Sequence, residues 1–363
     1  MRRCSMVFTL CLSLLVPAGA HAAVRTYHLA AQEVRWDYAP EGRDRMMGMP
    51  FDDDQKVFTE RGPERIGRVY IKAVYREYTD ASFSRLKPRP REWEHLGLLG
   101  PVLRAEVGDT IVVVFKNMTS RDATIHPHGV FYTKSSEGSP HDDGTQGADK
   151  ADDAVKPGST YTYRWEVPER SGPGPNDPDT IPWLYHSHTD APADTNAGLI
   201  GVLLISGRGR LGPQGRPRDV DREFVALFKV FDENGSPYLE RNVKAFADPK
   251  RVKPDDEGFI ESNKMHGING YLFANLPGLE MKRGERVRWY ILALGNEVDL
   301  HTAHWHGNTG LAAGHRVDTV SLLPATGSVV DMVPDSPGLW MFHCHVDDHI
   351  KGGMTALYRV KEK

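Results

Sequence analysis

Ten histidines and one cysteine set out the chemistry open to this chain. Eight of them form four H-x-H pairs: His126-Pro127-His128, His186-Ser187-His188, His304-Trp305-His306 and His343-Cys344-His345. On an extended strand, residues i and i+2 point to the same face, so each pair presents two imidazoles side by side. Neutral imidazole is a ligand for copper, zinc, iron and nickel. One such pair is ordinary on a protein surface. Four pairs, two in each half of the chain, point to metal.

The C-terminal tract is more specific. Cys344, His349 and Met354 follow one another at intervals of five, and His301 stands three residues before His304. Two imidazoles, a thiolate and a weak thioether are the donor set of a blue-copper electron-transfer site. Binding there would deprotonate Cys344. The remaining eight imidazoles are enough to hold three further coppers. Met46, Met47 and Met49 offer thioethers to a soft metal, or form an ordinary loop.

These ligands need rigid strands. Short β-rich runs recur between turn signals, among them 110–115, 160–165, 202–206, 286–292 and 355–360, and several alternate polar with apolar residues. Long amphipathic helical patterns are scarce. The expected class is all-β, a sandwich. The tract 207–222 is rich in Gly, Pro and charge and reads as a linker. It separates a first domain (23–206) from a second (223–363). Each half runs through a Gly-acid turn (Gly108-Asp109, Gly284-Glu285), an H-x-H-G motif and a second H-x-H. That is an internal repeat.

Arg2 and Arg3, a short apolar run and Ala20-His21-Ala22 read as a signal peptide over 1–22. Its removal takes Cys4 and Cys11, leaving Cys344 as the single thiol. Export to the periplasm or the extracellular space is expected. The whole chain has 363 residues, 39% hydrophobic, with a formal charge of −4. That is enough for two domains and too apolar for disorder. The mild acidity argues against nonspecific nucleic-acid binding. No later run is long and apolar enough for a membrane helix, so no membrane insertion is expected.

With these motifs in place, the chain resembles the multicopper oxidases, and in wording the ceruloplasmin/hephaestin group, over nearly all of its length after residue 22. Further stretches that carry the likeness are 95–109, 125–138, 265–270 and 295–301. In length it resembles the two-domain bacterial laccases. The resemblance implies cupredoxin-like, Greek-key β-sandwich domains and four coppers per chain. His301, Cys344, His349 and Met354 match the type 1 ligands. His126 and His304 match the type 2 ligands, and His128, His186, His188, His306, His343 and His345 the type 3 pair. Ser187 stands where the first half would need a cysteine, so one type 1 copper is expected, in the second domain. Four electrons would reach O2 through Cys344, covalently placed between two type 3 ligands, and give two waters. Asp190 is a candidate proton relay or a plain loop acid. Ceruloplasmin-like relatives have six such domains. A two-domain chain would therefore close the ring as a homotrimer, joining the first domain of one copy to the second domain of the next.

The resemblance implies a secreted oxidase with O2 and a small-molecule or metal-ion reductant as partners. Laccase-like oxidation of phenols and aryl amines is the first expectation. The alternative is a ferroxidase, with Glu261, His266 and Asp348 as the iron site and Glu297 as a weaker candidate. Asp348 could instead orient His349. Copper nitrite reductases place the blue-site cysteine in the first domain, so that reading stands lower. A non-enzymatic copper-binding role stands lower too, since it would not need a type 1 site wired to eight imidazoles.

Overall fold

The computed structural model describes residues 22–362. The expected signal segment, 1–22, lies outside the described residues apart from Ala22. Eight strands build the first half: β1 (Val24–Asp37), β2 (Val69–Tyr78), β3 (Val102–Glu106), β4 (Thr110–Met118), β5 (His126–Pro127), β6 (Thr160–Glu166), β7 (Thr180–His186) and β8 (Ile200–Ser206). They form two sheets, ordered β2-β1-β4-β6 and β3-β8-β7-β5. The second half holds β9 (Arg222–Asp232), β10 (Lys264–Ile268), β11 (Glu280–Lys282), β12 (Val287–Ala293), β13 (His301–Trp305), β14 (Gly310–Ala312), β15 (His315–Val317), β16 (Thr319–Leu322), β17 (Gly327–Met332), β18 (Gly338–Cys344) and β19 (Thr355–Lys361). Its sheets run β10-β9-β12-β17-β14-β15 and β11-β19-β18-β13-β16.

Without β14, β15 and β16 the two halves have the same strand orders. The senses agree as well. β1 and β4 are parallel, as are β9 and β12; β3 and β8 are parallel, as are β11 and β19. β7 runs antiparallel to β8 as β18 does to β19. The repeat read in the sequence is therefore a repeat of topology. The Gly-acid turns match too: Gly108 and Gly284 both take positive φ, +90° and +78°, at the turns before β4 and β12.

Each half buries a core between its own two sheets. In the first, β4 alternates, with Ile111, Val113 and Phe115 packed against Leu203 and Ile205 of the facing sheet. In the second, Trp289, Trp305, Phe342 and Tyr358 fill the centre. A third core explains why β12 is buried throughout instead of alternating. Val225, Leu227, Tyr290 and Leu292 turn away from their own sandwich and pack on Leu184, Val202 and Leu204 of the first half.

Polar groups also bind the halves. Arg104 pairs with Glu223 through two hydrogen bonds, of 3.1 and 2.6 Å, and Tyr290 donates to the same carboxylate. His95 Nε2 accepts the Val225 N–H (3.0 Å); burial pushes this imidazole down to about 3, which keeps the ring neutral for that task. Lys72 of β2 and Glu233, just past β9, form a wholly buried ion pair, and Tyr38 donates to the Glu233 carboxylate. Removing one member of a buried pair strands the other charge. Glu233→Ala should therefore lower unfolding stability by about 3–5 kcal/mol, measured by urea titration. A change within 1 kcal/mol, about the worth of an exposed ion pair, would show that the pair contributes little.

Candidate metal centres

Strand pairing brings the H-x-H motifs together. β5 and β7 place His126 opposite His186, and β13 and β18 place His304 opposite His343. In the first set, His128 Nε2 and His186 Nε2 lie 3.1 Å apart, and the His126 and His188 rings are 5.1 Å apart. In the second, His343 Nε2 is 3.2 Å from His304 Nδ1 and 3.1 Å from His306 Nε2, with the His345 ring 5.4 Å from that of His343. In four of these rings the Nδ1 is held by a backbone or hydroxyl oxygen. His126 Nδ1 meets Glu137 O, His186 Nδ1 meets Ser187 O, His188 Nδ1 meets Ser139 Oγ and His343 Nδ1 meets Cys344 O. Such contacts fix tautomer and orientation. Burial lowers His186 to about 3 and His128 and His343 to about 4, so these rings stay neutral and ready to ligate.

Among the described residues, no imidazole of the first set bonds to or stacks on one of the second. His306 and His345 are exposed, and His126, His128, His188 and His304 are partly so. Each half of the chain carries four imidazoles on its own face.

Cys344, His301, His349 and Met354 are all buried. Cys344 Sγ lies 3.8 Å from His301 Nδ1 and 3.6 Å from His349 Nδ1, and the two nitrogens are 3.1 Å apart. A point in the plane of those atoms is about 2 Å from all three, the length of a transition-metal bond. The donor set thus fits a copper ion. Thr302 N–H donates to Cys344 Sγ (3.5 Å), and Met354 O accepts the Cys344 N–H (3.1 Å), which folds the Met354 segment back onto the strand. Burial raises the Cys344 thiol; bound metal would reverse this by taking the thiolate.

The first half shows the same framework without the ligands. Thr124 N–H donates to Ser187 Oγ (3.0 Å) as Thr302 does to Cys344, and Ser187 N–H donates to Leu199 O (3.1 Å) as Cys344 does to Met354. Ser187 therefore stands for the thiol and Leu199 for the thioether, while Ala123, three before His126, stands for His301. Asp194 takes the freed space and accepts the Ser187 hydroxyl (2.6 Å).

The remaining candidates are placed as follows. Asp190 is exposed and caps the helix Ala191–Ala197 through a long bond to Ala193 N–H (3.5 Å). His266 is buried with its ring 5.3 Å from that of His349. A Cβ at Gly352 would fall 2.4 Å from His266 Nδ1, so glycine there lets this ring lie against the ligand loop. His266 Nδ1 has no hydrogen-bond partner. Burial, then the His349 imidazole, lowers His266 to about 4, against the pull of Glu261 and Asp348. Glu261 pairs with Lys264 (3.1 Å) and Asp348 is exposed. The donors of Glu261, His266 and Asp348 do not close to within 4.8 Å of one another. Glu297 is exposed, and Met46, Met47 and Met49 lie in a loop with the last two open to solvent.

Sequence reading missed Asp299. Its buried carboxylate holds His301 Nε2 (3.2 Å) and accepts the Val230 and Asn296 N–H groups. Burial raises it, but the His301 bond, Lys229 and the two backbone donors outweigh that and leave it below the usual range. The available signal was an acid two residues before a candidate ligand, in the turn that leads into β13. Asp299→Asn should weaken copper binding at His301, Cys344 and His349 by about 10–100-fold. Competition titration against a chelator, read at the thiolate-to-copper absorption band, checks this.

Multicopper oxidase family models match residues 96–210 and 246–363. The chain is 49% identical over 343 residues to "Ferroxidase HEPHL1" of Mus musculus, covering 93% of this chain and 29% of that protein. It is 46% identical to "Hephaestin" of Homo sapiens (96% and 30% covered) and 45% to "Ceruloplasmin" of Homo sapiens (93% and 30%). The chain thus spans about three tenths of the length of these curated relatives. Among solved structures, "Multicopper Oxidase mgLAC" aligns with a TM-score of 0.59 at 20% identity, over 93% of this chain and 86% of that one. The "Blue Copper Oxidase from Nitrosomonas europaea" gives 0.57 at 20%, with the same coverage. These structural likenesses support cupredoxin-like sandwiches as the fold.

Proposed function

The chain belongs to the multicopper oxidase family, and within it we propose an exported ferroxidase that passes electrons from Fe(II) through Cys344 to O2. One observation carries the choice of substrate. His266, with a free Nδ1, lies against the ring of His349 and in the field of Glu261 and Asp348. An imidazole with an unpaired nitrogen in the field of two carboxylates suits a metal ion better than a phenol, because hard oxygen donors favour cations. The name of the HEPHL1 relatives, ferroxidase, supports the same reading. Phenol and aryl-amine oxidation, the first expectation from the sequence, has less support on both counts. Export is proposed from the pattern of residues 1–22; among the described residues no helix is long and apolar enough to cross a membrane.

Bound copper, one type 1 ion and three in the imidazole sets, would supply one-electron transfer and oxygen binding. The protein's own part is positional. Asp299 orients His301, and Thr302 N–H steadies the thiolate. Cys344 is bonded through the backbone to both His343 and His345, giving the shortest covalent route between the centres. Asp190, two residues past His188 and with its carboxylate making one long hydrogen bond, is proposed as the carrier of protons to the oxygen site.

In copper-loaded protein, Glu261→Ala with Asp348→Ala should lower kcat/KM for Fe(II) by at least tenfold, about 1.4 kcal/mol. Oxygen uptake with a phenol should be unchanged. Equal effects on both substrates would remove the iron reading.

We also infer that the eight-imidazole site closes between copies of this chain, as a homotrimer. The support is that each set of four sits apart from the other, with His306 and His345 exposed. Sedimentation with metal analysis should find four coppers per chain in the trimer. Dissociated monomer should keep only the copper at Cys344. A monomer holding four coppers would overturn this.

A further inference from the structure

The structure assigns a second, copper-independent binding site: a pocket beside β2 and β3 that takes a small organic carboxylate with an apolar body. The cavity has a volume of about 390 Å³ and is lined by two segments of chain, 75–77 and 86–104. That size suits a small molecule.

Four cationic side chains, Arg76, Lys87, Arg89 and Arg104, line the pocket with one acid, Glu77. Glu77 is taken by Lys87 (2.7 Å). Arg104 is taken by Glu223 at the domain interface. Arg76 and Arg89 are left. Arg89 donates to the carbonyls of Gly97 (2.9 Å) and Leu99 (2.6 Å), which orient its guanidinium but do not neutralise it. Among the described residues no carboxylate lies within 4 Å of either guanidinium. Both are largely withdrawn from water, where two like charges repel most strongly. Burial, then the Arg76 charge, lowers Arg89 to about 10. Such a pair lowers its energy by sharing an anion, and a planar carboxylate matches the guanidinium fork.

The walls choose the rest of the ligand. Trp93, Leu96, Pro101 and Val102 give apolar surface, and Leu86 stands at the rim about half exposed. Inorganic phosphate would satisfy the charges and leave those walls wet. An aryl or alkyl carboxylate satisfies both. The site contains none of the histidines of the copper centres, so it stands or falls separately from the ferroxidase reading.

The probe is 3-phenylpropionate, titrated by calorimetry into the copper-loaded full chain. Its neutral isostere 3-phenylpropionamide and inorganic phosphate are the comparisons. The carboxylate should bind at least tenfold tighter than either, and more weakly as salt is raised. Arg76→Gln should weaken it at least tenfold, leaving copper content and Fe(II) oxidation as they were. Among the described residues the Arg76 side chain makes no hydrogen bond or ion pair, so this variant should keep its fold; Arg89→Gln, which also loses the bonds to Gly97 and Leu99, is the second variant. Absence of saturable binding, equal affinity for the amide or for phosphate, or an unchanged Arg76→Gln would each overturn the assignment.

Discussion

The alternation of side chains along β18 is the constraint on which everything else rests. Strand geometry sends His343 and His345 to one face and Cys344 to the other. The same three residues therefore serve two environments. The imidazoles stand on a face that is partly open, while the thiol is sealed in the core with His301, His349 and Met354. No loop could hold this arrangement. A slip of one residue in the pairing of β18 with β13 would turn the thiol outward and point the two imidazoles into the core. The register is pinned from both sides, by His304 opposite His343 on β13 and by His343 opposite Thr355 on β19. Behind the thiol, Trp305 and Phe342 pack with Trp289 and leave little room for a slipped strand.

The first half shows what this framework is without the metal. It keeps the strand order, the register that sets His126 opposite His186, and the backbone bonds at Ser187. It replaces the sulfur with a hydroxyl that needs a partner of its own, and Asp194 supplies one. Burial raises the Asp194 carboxyl, and the Ser187 bond opposes it. A polar pair of that kind satisfies itself and has no call for an ion. The two faces of the equivalent strands are thus separable: the imidazole face is retained in both halves, and the buried face has diverged.

Much of this was legible in the sequence because the ligands follow the period of a strand. H-x-H at spacing two and Cys-His-Met at spacing five place donors without knowledge of the fold, and the repeated Gly-acid turns mark equivalent strands. What stayed hidden depends on contacts distant in sequence. Asp299 has meaning only once Val230 and His301 converge on it. The burial of β9 and β12 on both faces follows from the other domain, which no local pattern announces. Lys72 and Glu233, which no local pattern links, form a sealed pair 161 residues apart. The two imidazole sets belong to one family pattern, yet their separation within the chain is a property of domain placement.

Domain placement also sets the surroundings of the loop between Cys344 and Met354. The third core fixes β9 against the first half, and β10, paired with β9, carries His266 at its centre. Gly352 lets the Cys344–Met354 loop press against that ring with no side chain between. His266 is thereby held beside His349 by packing, with the Phe58 ring edge-on to it, and its Nδ1 has no hydrogen-bond partner. A buried, unpaired imidazole nitrogen is an unfavourable group for a fold to keep. In the proposed iron site, its position beside His349, with two carboxylates in reach of its charge, gives that nitrogen a use as a donor not committed to the protein.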